Sequence, residues 1–226
     1  MATTKARPLG TRGQPEQTRA AILKAAIREF ASEGVAGART EAIARAAHVN
    51  KALLYYYFKD KETLYGAALD FVFTGLTQHV MQAMKGKVSV PDKVRASVGA
   101  HFDFIASNPS YPRMVQQEMM RAGRAGSPHL KRIVERYVRP AFGRLSEVIR
   151  EGMERGEIRK VDPAQVVPSL IALNIFYFSS LPVMRQLTPG VDPLSPERIA
   201  ARRAAVLDFV SAALFVKPES RGEGRR

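Results

Sequence analysis

The chain contains no cysteine. Disulfides, thiolate catalysis, Cys-ligated zinc and iron–sulfur clusters are excluded together, and the composition fits a reducing compartment. No Gly-x-Ser-x-Gly, no Walker loop and no Gly-x-Gly-x-x-Gly ahead of a helix occurs, and Gly86-Lys87 lacks the upstream glycine of a phosphate loop. His48, His79, His101 and His129 show no His-x-x-x-His spacing. The sequence therefore predicts no metal, no cofactor and no catalytic site. The N-terminal MATTKARPLGTRGQ lacks the apolar run of a secretory signal, which predicts a cytoplasmic protein. No segment alternates polar and apolar residues with period two, and no internal repeat is present, so strands are not expected.

Acidic charge is also scarce. Against 35 Lys+Arg there are 21 Asp+Glu, a net charge of +14, which calls for an anionic partner such as nucleic acid, a membrane surface or an acidic ligand. The excess is not concentrated: the net charge is +5 over residues 1–65, +7 over 66–160 and +2 over 161–226. From Pro163 to Met184 no charged residue occurs, a length that could span a bilayer. Pro163, Pro168, Pro182, Gln165, Asn174 and several serines interrupt that run, so it reads as a buried helix and no membrane partner is expected.

What is present is helical periodicity. After a flexible basic tail at 1–14, Ile22, Leu23, Ala26, Ile27 and Phe30 give a first helix, opened by Pro15 and stopped at Gly34. Thr40 is read as the N-cap of a short second helix with Ile43 and Ala47 inward. Ala47-His48-Val49 is a turn. Asn50 caps a third helix running to Phe58, and Asp60 caps a fourth that ends at Gly86. Further helices are predicted from Pro91 to about Ser107, from Tyr111 to Arg121, and as one long seventh helix from Ser127-Pro128 to Arg155-Gly156. An eighth starts at Asp162-Pro163 and a ninth runs from Ser195-Pro196 to Val216. The last ten residues, 217–226, read as a disordered polar tail. The fold class is all-α, with about nine helices: an N-terminal three-helix domain at 15–61 and a helical bundle at 62–216.

Residues 40–61, TEAIARAAHVNKALLYYYFKDK, have the spacing of a helix-turn-helix. On the third helix Leu54 and Phe58 lie four apart and share the inner face. The opposite side carries Ala52 and Tyr56, flanked by Leu53 and Tyr55, with Lys51 in the first turn. Lysine can donate to guanine O6/N7, apolar groups can touch thymine methyls, and tyrosine hydroxyls can reach phosphate.

Residues 18–65 resemble the DNA-binding domain of the TetR family of bacterial transcriptional regulators. The residues that carry the resemblance are Thr18-Arg19, Ile22-Leu23-Lys24-Ala25-Ala26, Phe30 to Gly34, Thr40, Ile43-Ala44, Ala47-His48-Val49, Leu54-Tyr55-Tyr56-Tyr57-Phe58 and Lys61-Glu62-Thr63-Leu64. The resemblance implies DNA contacts from Thr40, Asn50, Lys51, Ala52, Leu53, Tyr55, Tyr56, Tyr57 and Lys61. Among these, Thr40, Tyr57 and Lys61 would touch phosphate, and Lys51 and Ala52 the bases. His48 stands where the family usually has a turn glycine, a position histidine tolerates. Ala52 and Leu53 depart from the common glycine and threonine, so the operator sequence is this chain's own.

The resemblance further implies a ligand-responsive repressor that binds a double-stranded operator as a homodimer through its eighth and ninth helices. An all-helical enzyme or carrier with a non-functional head, and a non-specific DNA organiser, are the alternatives. A small lipophilic effector would sit among Phe102, Met114, Met119, Tyr137, Phe142, Asn174, Tyr177 and Phe178. Asn174, a lone amide in an apolar helix, needs a partner, either the ligand or a residue across the dimer. The cluster Arg121, Arg124, Lys131, Arg132, Arg136 and Arg139 reads as a solvated face, with an anion-binding surface as the alternative.

Overall fold

In a computed structural model, residues 15–216 are described; the predicted tails at 1–14 and 217–226 lie outside them. The described chain divides into two compact units. One holds the residues up to Gly75 together with Asn108–Tyr137, the other Leu76–Ser107 and the residues from Val138 onward. This division differs from the linear one at residue 61, because a segment from the middle of the chain packs against the first helix.

In the first unit α1 spans Pro15–Gly37, α2 Thr40–Ala46 and α3 Lys51–Tyr57, and α4, which continues beyond this unit, spans Lys61–Ala83. Gly34 adopts φ 68° and ψ 174°, a conformation that costs other residues dearly, and it kinks α1 where the sequence predicts its end. Helices α6 (Tyr111–Ala125) and α7 (Pro128–Ile133) complete the unit. The Gln117 amide of α6 donates to the Ala31 carbonyl of α1 at 3.3 Å. Ile22, Leu23, Phe30, Ile43, Leu54, Phe58, Leu64 and Leu69 are buried to 2% exposure or less. Each such side chain contributes about 1.5–3 kcal/mol on leaving water. The rings of Phe30 and Tyr65 meet edge-on at 5.0 Å between α1 and α4.

The second unit comprises α5 (Val90–Ser107), α8 (Arg139–Glu154), α9 (Pro163–Ser179), α10 (Leu181–Leu187) and α11 (Pro196–Leu214). Its core joins Val90, Val94 and Val98 of α5 to Val148 and Ile149 of α8, Val167 and Leu170 of α9, and Val206, Val210 and Leu214 of α11. At Gly152 a β-carbon would lie 2.7 Å from Val90 and from Ile158, so glycine lets these side chains reach the α8 backbone. An isolated antiparallel bridge ties Ile158 to Phe215. The Arg203 guanidinium donates to both oxygens of Asp103 at 2.7 and 2.9 Å, linking α11 to α5.

Three helix predictions are corrected. The seventh helix is not continuous: a π-helical turn at Val134–Val138 separates α7 from α8. Pro140 has no N–H for the Arg136 carbonyl, and its ring would crowd that carbonyl in a regular helix. The uncharged run from Pro163 breaks at Ser180, and α9 and α10 meet at 62°. Pro182 in the first turn of α10 favours that restart. Thr40 is not the N-cap of α2; Arg39 holds that position, and Thr40 is the first helical residue. With these breaks, the described residues form eleven α-helices and a π turn rather than nine helices. No single helix among them is long and apolar enough to cross a membrane.

Candidate nucleic-acid interface

Helix α3 is only seven residues long, so its orientation comes from its ends and its inner face. Asn50 caps it, Oδ1 accepting the Leu53 N–H at 2.7 Å. His48 carries the turn at φ 56°, as the reading of that position expects. Leu54 and Phe58, 0% and 2% exposed, anchor the helix inward. The opposite side faces out: Tyr56 is 82% exposed, Tyr55 39%, and Lys51 and Ala52 are exposed as well. Leu53 and Tyr57 are half-buried, and the Tyr57 ring packs against Tyr56 and Phe58. This is the outward face predicted from the sequence, a cation followed by small, apolar and phenolic groups.

Several of these groups are already engaged. The Lys51 ammonium meets Glu41 Oε1 at 2.5 Å, and the Tyr55 and Thr40 hydroxyls lie 3.3 Å apart. A hydrogen bond from Lys51 holds the Glu41 carboxyl below its usual range, and Glu41 in turn raises Lys51. Lys61 Nζ donates to the carbonyls of Ala36 and Ala38, each at 3.1 Å. It thereby caps the end of α1, a role the sequence reading missed because these carbonyls lie more than twenty residues upstream. Asp60 caps α4 as expected, accepting the Thr63 N–H at 2.7 Å.

Part of the basic cluster at 121–139 is structural. Arg121 and His129 both bind Glu62 Oε1, at 2.8 and 2.7 Å. Arg132 binds Asp70 Oδ2 and the Gly66 carbonyl, both at 3.2 Å. Burial works to raise the Glu62 carboxyl, but the hydrogen bonds from Arg121 and His129 outweigh it and lower it. Beneath them the Tyr65 hydroxyl donates to buried Glu118 at 2.9 Å, and the Ser127 hydroxyl donates to its other oxygen. Lys131, Arg136 and Arg139 remain on the surface.

The predicted effector residues separate. Met114 and Tyr137 are buried in the first unit, whereas Met119, 62% exposed, stands on its surface. In the second unit the Phe102 and Phe178 rings meet at 5.3 Å, and Asn174 lies fully buried on the same helix as Phe178. Asn174 finds its partners within its own chain: its amide N–H group donates to the Val98 carbonyl at 3.0 Å and lies 3.1 Å from His101 Nδ1. Its Oδ1 stays buried without a partner. Phe142 and Tyr177 are half-buried, and the Tyr177 hydroxyl donates to the Pro193 carbonyl at 2.7 Å.

Comparison with known proteins decides what carries this geometry. The family model described as "Bacterial regulatory proteins, tetR family" matches residues 22–68, and "Tetracyclin repressor-like, C-terminal domain" matches 91–210. The chain belongs to the TetR family of transcriptional regulators. This TetR-family chain is 31% identical over 179 residues to the HTH-type transcriptional repressor SCO4008 of Streptomyces coelicolor, across 78% of its own length and 85% of that protein. Its fold is shared with the ketosteroid transcriptional regulator KstR2 of Mycobacterium tuberculosis, at a TM-score of 0.71 and 20% identity over 91% of this chain and 98% of that one. It is also shared with the transcriptional regulator FadR of Bacillus subtilis, solved in complex with stearoyl-CoA, at a TM-score of 0.66 and 19% identity over 86% and 98%. These relatives are named as regulators of transcription.

Proposed function

We propose that the chain is a cytoplasmic, ligand-responsive repressor that binds a pseudo-palindromic operator as a homodimer. The observation that carries this reading is the outward face of α3, where Lys51, Ala52, Tyr55 and Tyr56 project from a helix seated on Leu54 and Phe58. Lys51 and Ala52 read base edges; Tyr55, Tyr56, Tyr57, Thr40 and Lys61 fix the register on the backbone, and Asn50 and Leu53 border them. Helices α9 and α11 form the dimer interface. Support comes from the apolar groups they leave in water, Phe176 at 69% exposure on α9 and Phe209 at 59% on α11. A C2 dimer would set its two recognition helices one DNA turn apart, roughly 34–36 Å.

The effector is small and lipophilic. A relative of the same fold holds stearoyl-CoA, and in this chain the Phe102 and Phe178 rings meet at 5.3 Å, with Phe178 on the same helix as Asn174, whose oxygen is buried without a partner. The ligand acts through its affinity difference between two conformations, only one of which suits successive major grooves. Helix α4, which begins at Lys61 directly after the recognition helix, carries the change.

Selection of bound duplexes from random DNA tests this. A two-fold symmetric site should emerge, and Lys51→Ala should weaken it by about 1–3 kcal/mol while relaxing preference at one base pair per half-site. Equal binding to all duplexes would point to a DNA organiser, and no salt-dependent binding at all to a helical carrier or enzyme.

A further inference from the structure

Thr40, Lys51 and Tyr55 are expected to contact DNA separately, yet in the free protein they are linked into one network through the acidic Glu41. Glu41 Oε1 takes the Lys51 ammonium at 2.5 Å. Its other oxygen lies 3.4 Å from the Thr40 hydroxyl, which lies 3.3 Å from the Tyr55 hydroxyl. The circuit closes where Lys51 Nζ sits 5.8 Å from the centre of the Tyr55 ring. Four residues from α2 and α3 thus form one ring on the proposed DNA face, and Glu41 is its only acid.

We propose that Glu41 is a specificity-determining residue of the DNA interface, a positioning group that restrains Lys51 so that it serves a base edge and not the nearest phosphate. The inference rests on the DNA-binding reading above. An unrestrained lysine is a flexible, hydrated point charge that can bind any phosphate within reach. Phosphate contacts add affinity to every sequence alike, whereas base contacts discriminate. Lys51 is the sole cation of α3, so where its ammonium goes weighs heavily on how this helix reads DNA. Paired with Glu41, Lys51 presents no net charge to a random duplex and releases no counterion there. The pair opens only for an acceptor that offers Lys51 more than Glu41 does. Guanine, with O6 and N7 side by side, is such an acceptor. Both side chains are half in water, 52% and 57% exposed, so either can be replaced without opening a core cavity.

The test compares full-length wild type, Glu41→Gln, Lys51→Met and the double variant on a selected operator and on a scrambled duplex across a salt series. Glu41→Gln should tighten binding to the scrambled duplex on the order of five- to tenfold near 0.1 M salt and steepen its salt slope by about one unit. Base preference at the position facing Lys51 should flatten, and these changes should vanish when Lys51 is methionine. An unchanged slope and preference in Glu41→Gln overturns the proposal. So does a change that persists in the Lys51→Met background, since the carboxylate would then act on phosphate by itself. Loss of operator binding by a folded Glu41→Gln protein also overturns it, by making Glu41 a direct DNA contact. A wild type that does not distinguish operator from scrambled duplex overturns the DNA reading itself, and the proposal with it.

Discussion

His101 shows how closely one residue can be specified by its neighbours. Its Nδ1 faces the Asn174 amide N–H group, so it must accept, and the ring proton belongs on Nε2. A second proton on Nδ1 would face a donor in a buried site, and burial pushes the pKa down to about 4. Histidine in an unfolded chain titrates near 6.5, so between that value and about 4 the unfolded state binds more protons. The stability supplied by neutral His101 is present above this window and is lost as pH falls through it, by up to about 3 kcal/mol. Chemical denaturation from pH 7 to pH 4 should show that loss in the wild type and a smaller one in His101→Gln. An identical pH profile in the variant would assign the acid sensitivity to other groups. The sequence marks Asn174 as a polar group in need of a partner, and the need is real. It does not name His101, because the pairing joins residues 73 positions apart and follows from how α5 packs on α9.

At the scale of elements, caps and turns are the most legible features. Asn50, Asp60, Ser127 and Asp162 all cap the helices predicted for them, because each bond joins residues two or three apart. The inner face of α3 is legible for the same reason: Leu54 and Phe58 are set by helical period alone. Missed were features that require a distant chain segment, such as Lys61 capping α1 and Glu62 and Asp70 binding Arg121, His129 and Arg132. The π turn ahead of Pro140 was missed for another reason, since proline near a helix start and proline within a helix look alike in sequence. Gly152 belongs with the distant contacts. Its period predicts an ordinary helical position, yet Val90 and Ile158 occupy the space a methyl group would need. Gly152→Ala should therefore destabilise the protein by roughly 1–3 kcal/mol despite alanine's better helix propensity. Urea unfolding measures this, and a stabilised variant would show that Val90 and Ile158 move aside freely.

For the molecule as a whole, the expected stoichiometry is two. Phe176, Val183, Leu187 and Phe209 are each more than half exposed, on three helices of one unit. Replacing Phe176 and Phe209 by glutamate should yield a folded monomer by sedimentation analysis, with operator affinity reduced at least a hundredfold because each half-site then binds alone. A dimer that survives both changes would place the interface elsewhere. The net charge of +14 assists approach to DNA without marking where DNA sits, and part of it is paired within the chain, with Glu62 and Asp70. The exposed tyrosines of α3 have a practical consequence. With no tryptophan in the chain, its ultraviolet emission comes from seven tyrosines, and Tyr55, Tyr56 and Tyr57 all lie on α3, the helix proposed to read DNA. Stacking or hydrogen bonding there will alter their fluorescence, so the unlabelled protein carries its own optical reporter of docking.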